Sequence, residues 1–207
     1  MFSTFNGLGL WTLYMKEVRR FFKVQLQTIW APALTTLLYL VIFTVALGRV
    51  KREVLGVSFP DFLAPGLIIM GMVQNAFANT SSTFIIAKIQ GTIVDLLMPP
   101  LTATELLLAV LAGAVTRAVL VGLTVWIAMA AIPGVSVVPR HPWAIVYFGL
   151  AGSLLLALLG VLTGLWAEKF DQTAMITNFV VQPLALLSGT FYTIDRLPGV
   201  WNAISHA

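Results

Sequence analysis

The sequence predicts an all-α, polytopic helical membrane protein, with residues 1–207 forming a single domain. Hydrophobic residues make up 59% of the chain and charged residues 10%, whereas a soluble domain carries about a quarter charged residues. The apolar residues fall in long runs, and none of these runs alternates in polarity as a membrane-crossing strand does. Because too few charges remain to cover a water-facing surface, we expect helices that lie in a bilayer.

The N-terminal segment, residues 1–28, has the pattern of an amphipathic helix at a membrane surface. Its apolar side chains recur at helical spacing opposite a polar side: Trp11, Met15, Val18, Phe22 and Leu26 against Lys16, Arg20, Lys23 and Gln27. An ordinary surface helix would show the same pattern, and this alternative stays open. A cleavable signal peptide is excluded, because no small-residue cleavage site follows a short apolar core.

Five apolar runs follow within residues 29–191, and each is predicted to span the membrane. They are Ile29 to Gly48, Phe62 to Ala87, Leu106 to Ile132, Trp143 to Ala167 and Thr173 to Phe191. Each is near or above the roughly 20 residues that a helix needs to cross the hydrocarbon core. Four of the runs contain no charged residue, and the third contains Arg117.

Basic residues near the run ends indicate the orientation, although their bias is small. With the N-terminus inside, the cytoplasmic side holds Lys16, Arg19, Arg20, Lys23, Lys88 and Lys169. The outer side then holds Arg49, Lys51, Arg52, Arg140 and Arg196. We therefore predict a cytoplasmic N-terminus from the dense first cluster. The basic residues favour an anionic membrane surface as a partner, and no nucleic-acid footprint is present.

Sequence signatures of catalysis are absent from the chain. Cysteine is missing, and the phosphate-binding loop of ATPases does not occur, so the chain is not an ATPase by itself. His141 and His206 both lie in loops without the spacing of a zinc motif, and no metal or other cofactor is predicted. The carboxylates lie at or outside the run ends, unlike the buried acidic relays of many pumps. We predict no enzymatic activity.

Amide side chains inside two of the runs are the first candidate functional residues. Gln74, Asn75 and Asn79, with Ser82, are assigned to one face of the second run, and the fifth run carries Asn178 and Gln182 beside Thr177. Amides are costly in hydrocarbon and usually face protein or water. They either line a translocation pathway or only join neighbouring helices, and the sequence leaves both interpretations open.

Arg117 and two glycines are further candidates within the runs. The charge of Arg117 must pair, reach an interface or face a hydrated cavity, so it serves either a structural ion pair or contact with an anionic substrate headgroup. Gly160 and Gly164 form a G-x-x-x-G pair that lets helices approach closely, inside one subunit or between two.

The loop from Lys88 to Thr104 is the most informative connection. Ile89, Ile93, Leu96 and Leu97 have helical apolar spacing, while Lys88, Gln90 and Asp95 supply a polar side. A short amphipathic element of this kind docks into the groove of a partner or lies on lipid headgroups.

Three segments together resemble the permease subunits of type-2 ABC transporters, especially the bacterial exporters. They are FPDFLAPGLIIMGMVQNAF at residues 59–77, KIQGTIVDLLMPPLTATELLLA at 88–109 and LLSGTFYTIDRLPGVWNAIS at 186–205. The resemblance implies a connecting helix on the cytoplasmic face of a bacterial inner membrane, six spanning helices, and two permease copies with two separate subunits that bind ATP. The chain itself would need no cofactor.

The resemblance also assigns roles to particular residues. It implies a coupling helix at roughly Lys88 to Pro99 that contacts the ATPase, with coupling residues Lys88, Gln90, Gly91 and Asp95. Gly91 would allow the turn and Asp95 would present a charge. The stretch from Gly189 to Ser205 would form an outer re-entrant segment. Residues 192–207 are assigned to this segment. The family pattern continues into a sixth helix, so we expect a truncated chain or a helix from another chain.

The predicted function is therefore a permease subunit of an ATP-driven exporter that forms the pathway and couples to a separate ATPase. The alternatives are an ATP-independent channel or gradient-driven carrier, and a noncatalytic scaffold. The substrate is not readable from the sequence, because an apolar pathway with a few amides suits lipids, polysaccharide conjugates and drugs alike.

Overall fold

A computed structural model describes residues 5–47, 53–54, 57–132 and 142–187. The chain begins with helix α1, Gly7–Lys23, and after a π-helical turn, Leu26–Trp30, continues into α2, Ala31–Leu47. A two-residue hairpin, β1 Glu53–Val54 and β2 Val57–Ser58, leads into the long α3, Phe59–Ile89. The remaining elements are α4 Ile93–Leu97, α5 Ala103–Ala130, α6 Pro142–Trp166, α7 Phe170–Ile176, a π-helical turn Thr177–Val181 and α8 Gln182–Leu187.

Four of the described helices are long and apolar enough to cross a membrane: Leu26–Phe43, Phe59–Ile89, Ala103–Ala130 and Pro142–Trp166. They correspond to the first four predicted runs and confirm the all-α membrane fold. The described helical segment that contains the start of the fifth run extends from Phe170 to Leu187. The last residues of the run lie outside the described part. The predicted outer re-entrant segment and residues 192–207 also lie outside it.

Helix α1 turns an unexpected side toward the other helices. Its N-terminus is capped by Asn6, whose Oδ1 accepts from the backbone N–H of Gly9 at 2.9 Å. The buried side chains are Leu13, Glu17 and Phe21, one helical turn apart. Trp11 and Phe22 of the apolar stripe are 58% and 44% exposed, so this part of the stripe faces outward, where a bilayer would cover it, whereas Val18 packs against the core.

Helix α3 lies at the centre and packs against α2, α5 and α6. Its closest neighbour is α6, because Gly160 and Gly164 leave room for the backbone of α3: added Cβ atoms would meet the carbonyl oxygens of Phe77 at 2.5 Å and Ser81 at 2.9 Å. Thr80 Oγ1 crosses this interface to donate to the carbonyl of Ala157 at 2.8 Å. The G-x-x-x-G pair therefore packs helices inside one subunit.

Helix α5 begins at a capping box, in which Thr102 and Glu105 satisfy each other's backbone N–H groups. Helix α5 packs closely against α1 at Gly113. A Cβ added to this glycine would lie 2.8 Å from Cβ of Glu17. The absence of a side chain at Gly113 thus brings a carboxylate of α1 into the junction of α1, α3 and α5.

Candidate functional site

A polar cleft opens between α2, α3 and the segment formed by the π-helical turn Thr177–Val181 and α8, with a volume of about 400 Å³. We call it the polar cleft and define it by its lining residues: Gln27, Ala31, Pro32, Thr35, Thr36, Tyr39, Leu67, Met70, Gly71, Gln74, Asn75, Phe77, Ala78, Thr177, Val181 and Gln182. Amide and hydroxyl groups share this wall with apolar side chains, and no member carries a formal charge. Such a mixture suits an amphipathic ligand.

Two of the predicted pathway residues meet across the polar cleft. Nε2 of Gln74 donates to Oε1 of Gln182 at 3.2 Å, which joins α3 to the start of α8. Both side chains are half-buried. Asn178 lies in the π-helical turn before α8, but its side chain is exposed and lies outside the cleft wall.

Asn75 forms the part of the cleft wall that leads to Arg117. Its Nδ2 donates to the carbonyl of Gly71 at 2.9 Å, and its Oδ1 accepts from Nη2 of Arg117 at 2.9 Å. Arg117 lies near the middle of α5 and is 8% exposed. Its Nε has no hydrogen-bond partner in the described part of the chain. The guanidinium therefore lies directly behind the cleft, held by one neutral acceptor.

A second polar group, the Glu17 cluster, joins α1 to α3 and consists of Glu17, Arg20, Asn79, Ser82 and Thr83. Nη2 of Arg20 lies 2.9 Å from Oε2 of Glu17, and Oγ1 of Thr83 donates to the same oxygen at 2.9 Å. Arg20 also donates to Oδ1 of Asn79 and to Oγ of Ser82, at 3.2 Å each. Glu17 and Asn79 are completely buried.

The four polar residues assigned to one face of the second run therefore occupy two environments. The prediction that they share a single face was wrong. Gln74 points toward α8, whereas Asn75, Asn79 and Ser82 point toward the arginines of α5 and α1. The reason is geometric, since a spacing of five residues turns a side chain by about 140° on a helix. Of the six pathway candidates, Gln74, Asn75 and Gln182 line the polar cleft.

The loop predicted for coupling projects beyond the ends of α3 and α5. Gly91 adopts a φ of 71°, a conformation that favours glycine, and α4 follows as one short turn. Gln90, Gly91 and Asp95 are exposed, while Leu96 is buried against the bundle. Apolar side chains of this loop are also exposed, among them Val94, Leu97 and Met98 at 55%, 66% and 76%.

Both ends of this loop are attached to other helices. At its start, Nζ of Lys88 donates to the carbonyls of Leu165 and of Ala167, the latter at 3.0 Å, where α6 ends. At its end, Glu105 accepts from the backbone N–H of Thr102 at 2.7 Å and from the backbone N–H of Asn6, which precedes α1. A displacement of α4 would therefore act on α1 and α6.

The sequence of this chain matches one family model over residues 9–207, that of the ABC-2 type transporter. This chain belongs to the ABC-2 type transporter family. The match covers every described helix except the first two residues of α1. The resemblance seen in the three sequence segments is thereby confirmed, and the chain is a transport permease by family rather than an enzyme.

Named relatives of this ABC-2 permease include two groups of bacterial proteins. The chain is 34% identical over 201 residues to inner membrane transport permease YadH of Escherichia coli K12, which covers 96% of the chain and 77% of that relative. It is 26% identical over 201 residues to nodulation protein J of Rhizobium meliloti, covering 97% of the chain and 76% of the relative. No solved structure matches the chain.

Several residues of this ABC-2 permease site were not found by sequence reasoning. Glu17 and Thr83 of the Glu17 cluster were missed, as were Gln27, Thr35, Thr36 and Tyr39 of the cleft wall. A signal for Glu17 existed, because a lone carboxylate among four basic residues sits at the spacing of the buried Leu13 and Phe21. The hydroxyls of α2 carried none, since Thr also bonds its own helix backbone, as Thr36 does.

Proposed function

We propose that this chain is the permease subunit of an ATP-driven exporter in a bacterial cytoplasmic membrane, with its N-terminus on the cytoplasmic side. The observation that supports the proposal best is the loop around α4. It exposes Val94, Leu97 and Met98 beyond the membrane-spanning helices, while both of its ends are fixed to the bundle. An apolar surface of this kind on a mechanically connected loop suits a docking partner.

In this proposal the partner is a separate ABC ATPase, which binds the ATP that this chain has no motif to bind. Gln90, Gly91 and Asp95 are exposed and contact the ATPase beside the apolar side chains. Lys88 has a different part, because its ammonium is engaged with the end of α6. It transmits the displacement of α4 instead of touching the ATPase.

The polar cleft is the translocation pathway of one subunit, and two permease copies complete it. Gln74, Asn75 and Gln182 provide the polar contacts along its wall. Asn79 and Arg117 contribute from behind the wall, through the Glu17 cluster and through Asn75 respectively. The relative YadH is named an inner membrane transport permease, which supports a location in the cytoplasmic membrane.

Coexpression with the ABC ATPase subunits of the source genome tests the proposal. We expect the two proteins to purify as one complex, and the ATPase rate in proteoliposomes to fall when Leu97→Asp or Met98→Asp removes the apolar contact. The matched control is Leu155→Asn, which changes an equally exposed leucine, 65% exposed, on the lipid-facing side of α6.

Two results would overturn the proposal. In the first, the ATPase neither binds the permease nor responds to the loop variants. In the second, liposomes that hold the permease alone translocate a fluorescent amphiphile without nucleotide, which would favour the ATP-independent channel or gradient-driven carrier.

A further inference from the structure

Arg117 carries a buried positive charge with little compensation. Within the described part of the chain, its side chain makes one hydrogen bond, to the neutral amide of Asn75, and its Nε has no partner. A guanidinium has five donor hydrogens, and leaving them unmet in a low-dielectric interior is costly. Arginines inside spanning helices accordingly mark ion pairs or hydrated, functional cavities.

The neighbouring charges do not neutralise Arg117. Among the described residues, the like charge of Arg20 repels it. The carboxylate of Glu17 is already paired with Arg20 at 2.9 Å. Two guanidiniums and one carboxylate therefore leave one net positive charge at the junction of α1, α3 and α5.

The polar cleft lies on the other side of Asn75 from Arg117, and no described residue of its wall carries a negative charge. Among the described lining residues there is neither Asp nor Glu, and the amides of Gln74 and Gln182 and the hydroxyl of Tyr39 offer donor groups. Asn75 is the separating side chain, because it lines the cleft and holds Arg117 with the same carboxamide. Rotation of this carboxamide would open the guanidinium to the cleft.

We propose that the polar cleft binds amphipathic molecules through an anionic group, a phosphate, sulfate or carboxylate, that replaces the Asn75 carboxamide oxygen as the acceptor for Arg117. The inference rests on the proposed function in treating the cleft as the pathway. Guanidinium and phosphate or carboxylate form paired hydrogen bonds between opposite charges, whereas the bond now present joins the guanidinium to a neutral acceptor. The apolar part of the ligand lies against Leu67, Met70 and Phe77.

The test uses the permease in nanodiscs of zwitterionic lipid and two fluorescent probes with identical acyl chains, phosphatidic acid and diacylglycerol. We expect phosphatidic acid to bind about tenfold more tightly, which corresponds to about 1.4 kcal/mol. Arg117→Gln is expected to remove the difference while diacylglycerol binding stays unchanged. Equal affinities in the wild-type permease, or a difference that survives Arg117→Gln, would overturn the inference.

A second variant keeps the test decisive if Arg117→Gln fails to fold. Asn75→Asp places a carboxylate of the same shape against Arg117 and neutralises it internally. We expect this variant to fold, because the new ion pair with Arg117 offsets the lost bond from Nδ2 to the carbonyl of Gly71, and to lose the preference for phosphatidic acid. Retained preference in Asn75→Asp would show that the phosphate binds elsewhere.

Inorganic phosphate as a competitor separates the two sources of the anionic group. Competition at millimolar phosphate would assign recognition to the free anion, and its absence would assign recognition to a headgroup presented by acyl chains; both results support the Arg117 site. The fate of the proposed function is read separately, from ATPase binding at the α4 loop. A permease that couples to its ATPase without preferring anions refutes this inference alone.

Discussion

Oε2 of Glu17 accepts a hydrogen bond from Oγ1 of Thr83 at 2.9 Å, so a carboxylate of the N-terminal helix is joined directly to the longest spanning helix. The same oxygen lies 2.9 Å from Nη2 of Arg20. Helix α1 is therefore more than an amphipathic helix at a surface. It is connected to α3 by directional polar bonds that resist sliding.

Replacing Glu17 with Ala should destabilise the permease substantially. The Glu17 side chain is 1% exposed and the Arg20 side chain 29%, so the variant leaves a largely desolvated guanidinium without its carboxylate. Loss of one partner from a fully buried pair costs about 3–5 kcal/mol, and the partial exposure of Arg20 reduces the expected loss to about 2 kcal/mol. Thermal unfolding in detergent, followed by tryptophan fluorescence, measures it.

Lys16→Ala is the matched control for that variant, because Lys16 precedes Glu17 on α1 and its side chain is exposed. We expect its unfolding temperature to stay close to that of the parent chain. A Glu17→Ala protein as stable as Lys16→Ala would mean that the Glu17 cluster does not hold α1.

The difference between the predicted and observed α1 shows what sequence reasoning can reach. Apolar spacing predicted the helix and its outward stripe, since that periodicity is local. The inward side depends on Gly113 of α5, which admits Glu17, and on Thr83 of α3. Those contacts join residues far apart in the chain, so no local pattern contains them.

Adding one methyl group at Gly160 should separate α3 from α6. In Gly160→Ala the new Cβ would lie 2.5 Å from the carbonyl oxygen of Phe77 and would also meet Thr80 Oγ1, which bonds the carbonyl of Ala157. Backbone cannot yield locally, so we expect a loss of about 1–3 kcal/mol, typical of overpacking. Chemical or thermal unfolding measures the change.

Gly152→Ala provides the comparison on the same helix. There the added Cβ would meet the side-chain methyl Cγ1 of Val73 at 3.2 Å, which a small side-chain adjustment relieves. We expect a clearly smaller loss than for Gly160→Ala. Equal losses would show that glycine content, and not close approach, determines the stability of α6.

Gly91→Val should disturb the loop around α4 without unfolding the helices. The φ of 71° at Gly91 costs a residue with a Cβ about 1–2 kcal/mol, while an added Cβ meets nothing within 4 Å. The strain is therefore confined to the backbone turn before α4. We expect the permease to stay folded with a loss of at most about 1–2 kcal/mol in stability, and we expect a reduced ATPase rate in the complex.

Gly91→Asn distinguishes backbone conformation from side-chain bulk, because Asn adopts positive φ more readily than Val. We expect Gly91→Asn to retain most of the ATPase rate. If Val and Asn lower the rate equally, the effect arises from added atoms at the docking surface instead of the turn.

The turn at Gly91 was predictable, whereas the partners of the amides were not. Glycine between a helix end and a short amphipathic segment is a local signal. Gln74 and Asn75 are adjacent in sequence, yet one bonds Gln182 and the other Arg117, because consecutive side chains on a helix diverge by about 100°. Which helix lies in each direction depends on the packing of α3, and hydropathy does not encode it.

Lys88→Met should weaken the link between α4 and α6, and so separate transmission from docking. The ammonium of Lys88 donates to the carbonyl of Ala167 at 3.0 Å and to that of Leu165, where the α6 dipole favours a cation. We expect a loss of about 1 kcal/mol in stability and a reduced ATPase response to substrate, with unchanged ATPase affinity. Lys88→Arg retains the charge and should restore most of the response.

Titration of the ATPase against the permease decides between the two roles of Lys88, transmission through α6 and direct contact with the ATPase. If affinity falls while the substrate response per bound ATPase is preserved, Lys88 contacts the ATPase directly and its bonds to α6 are incidental.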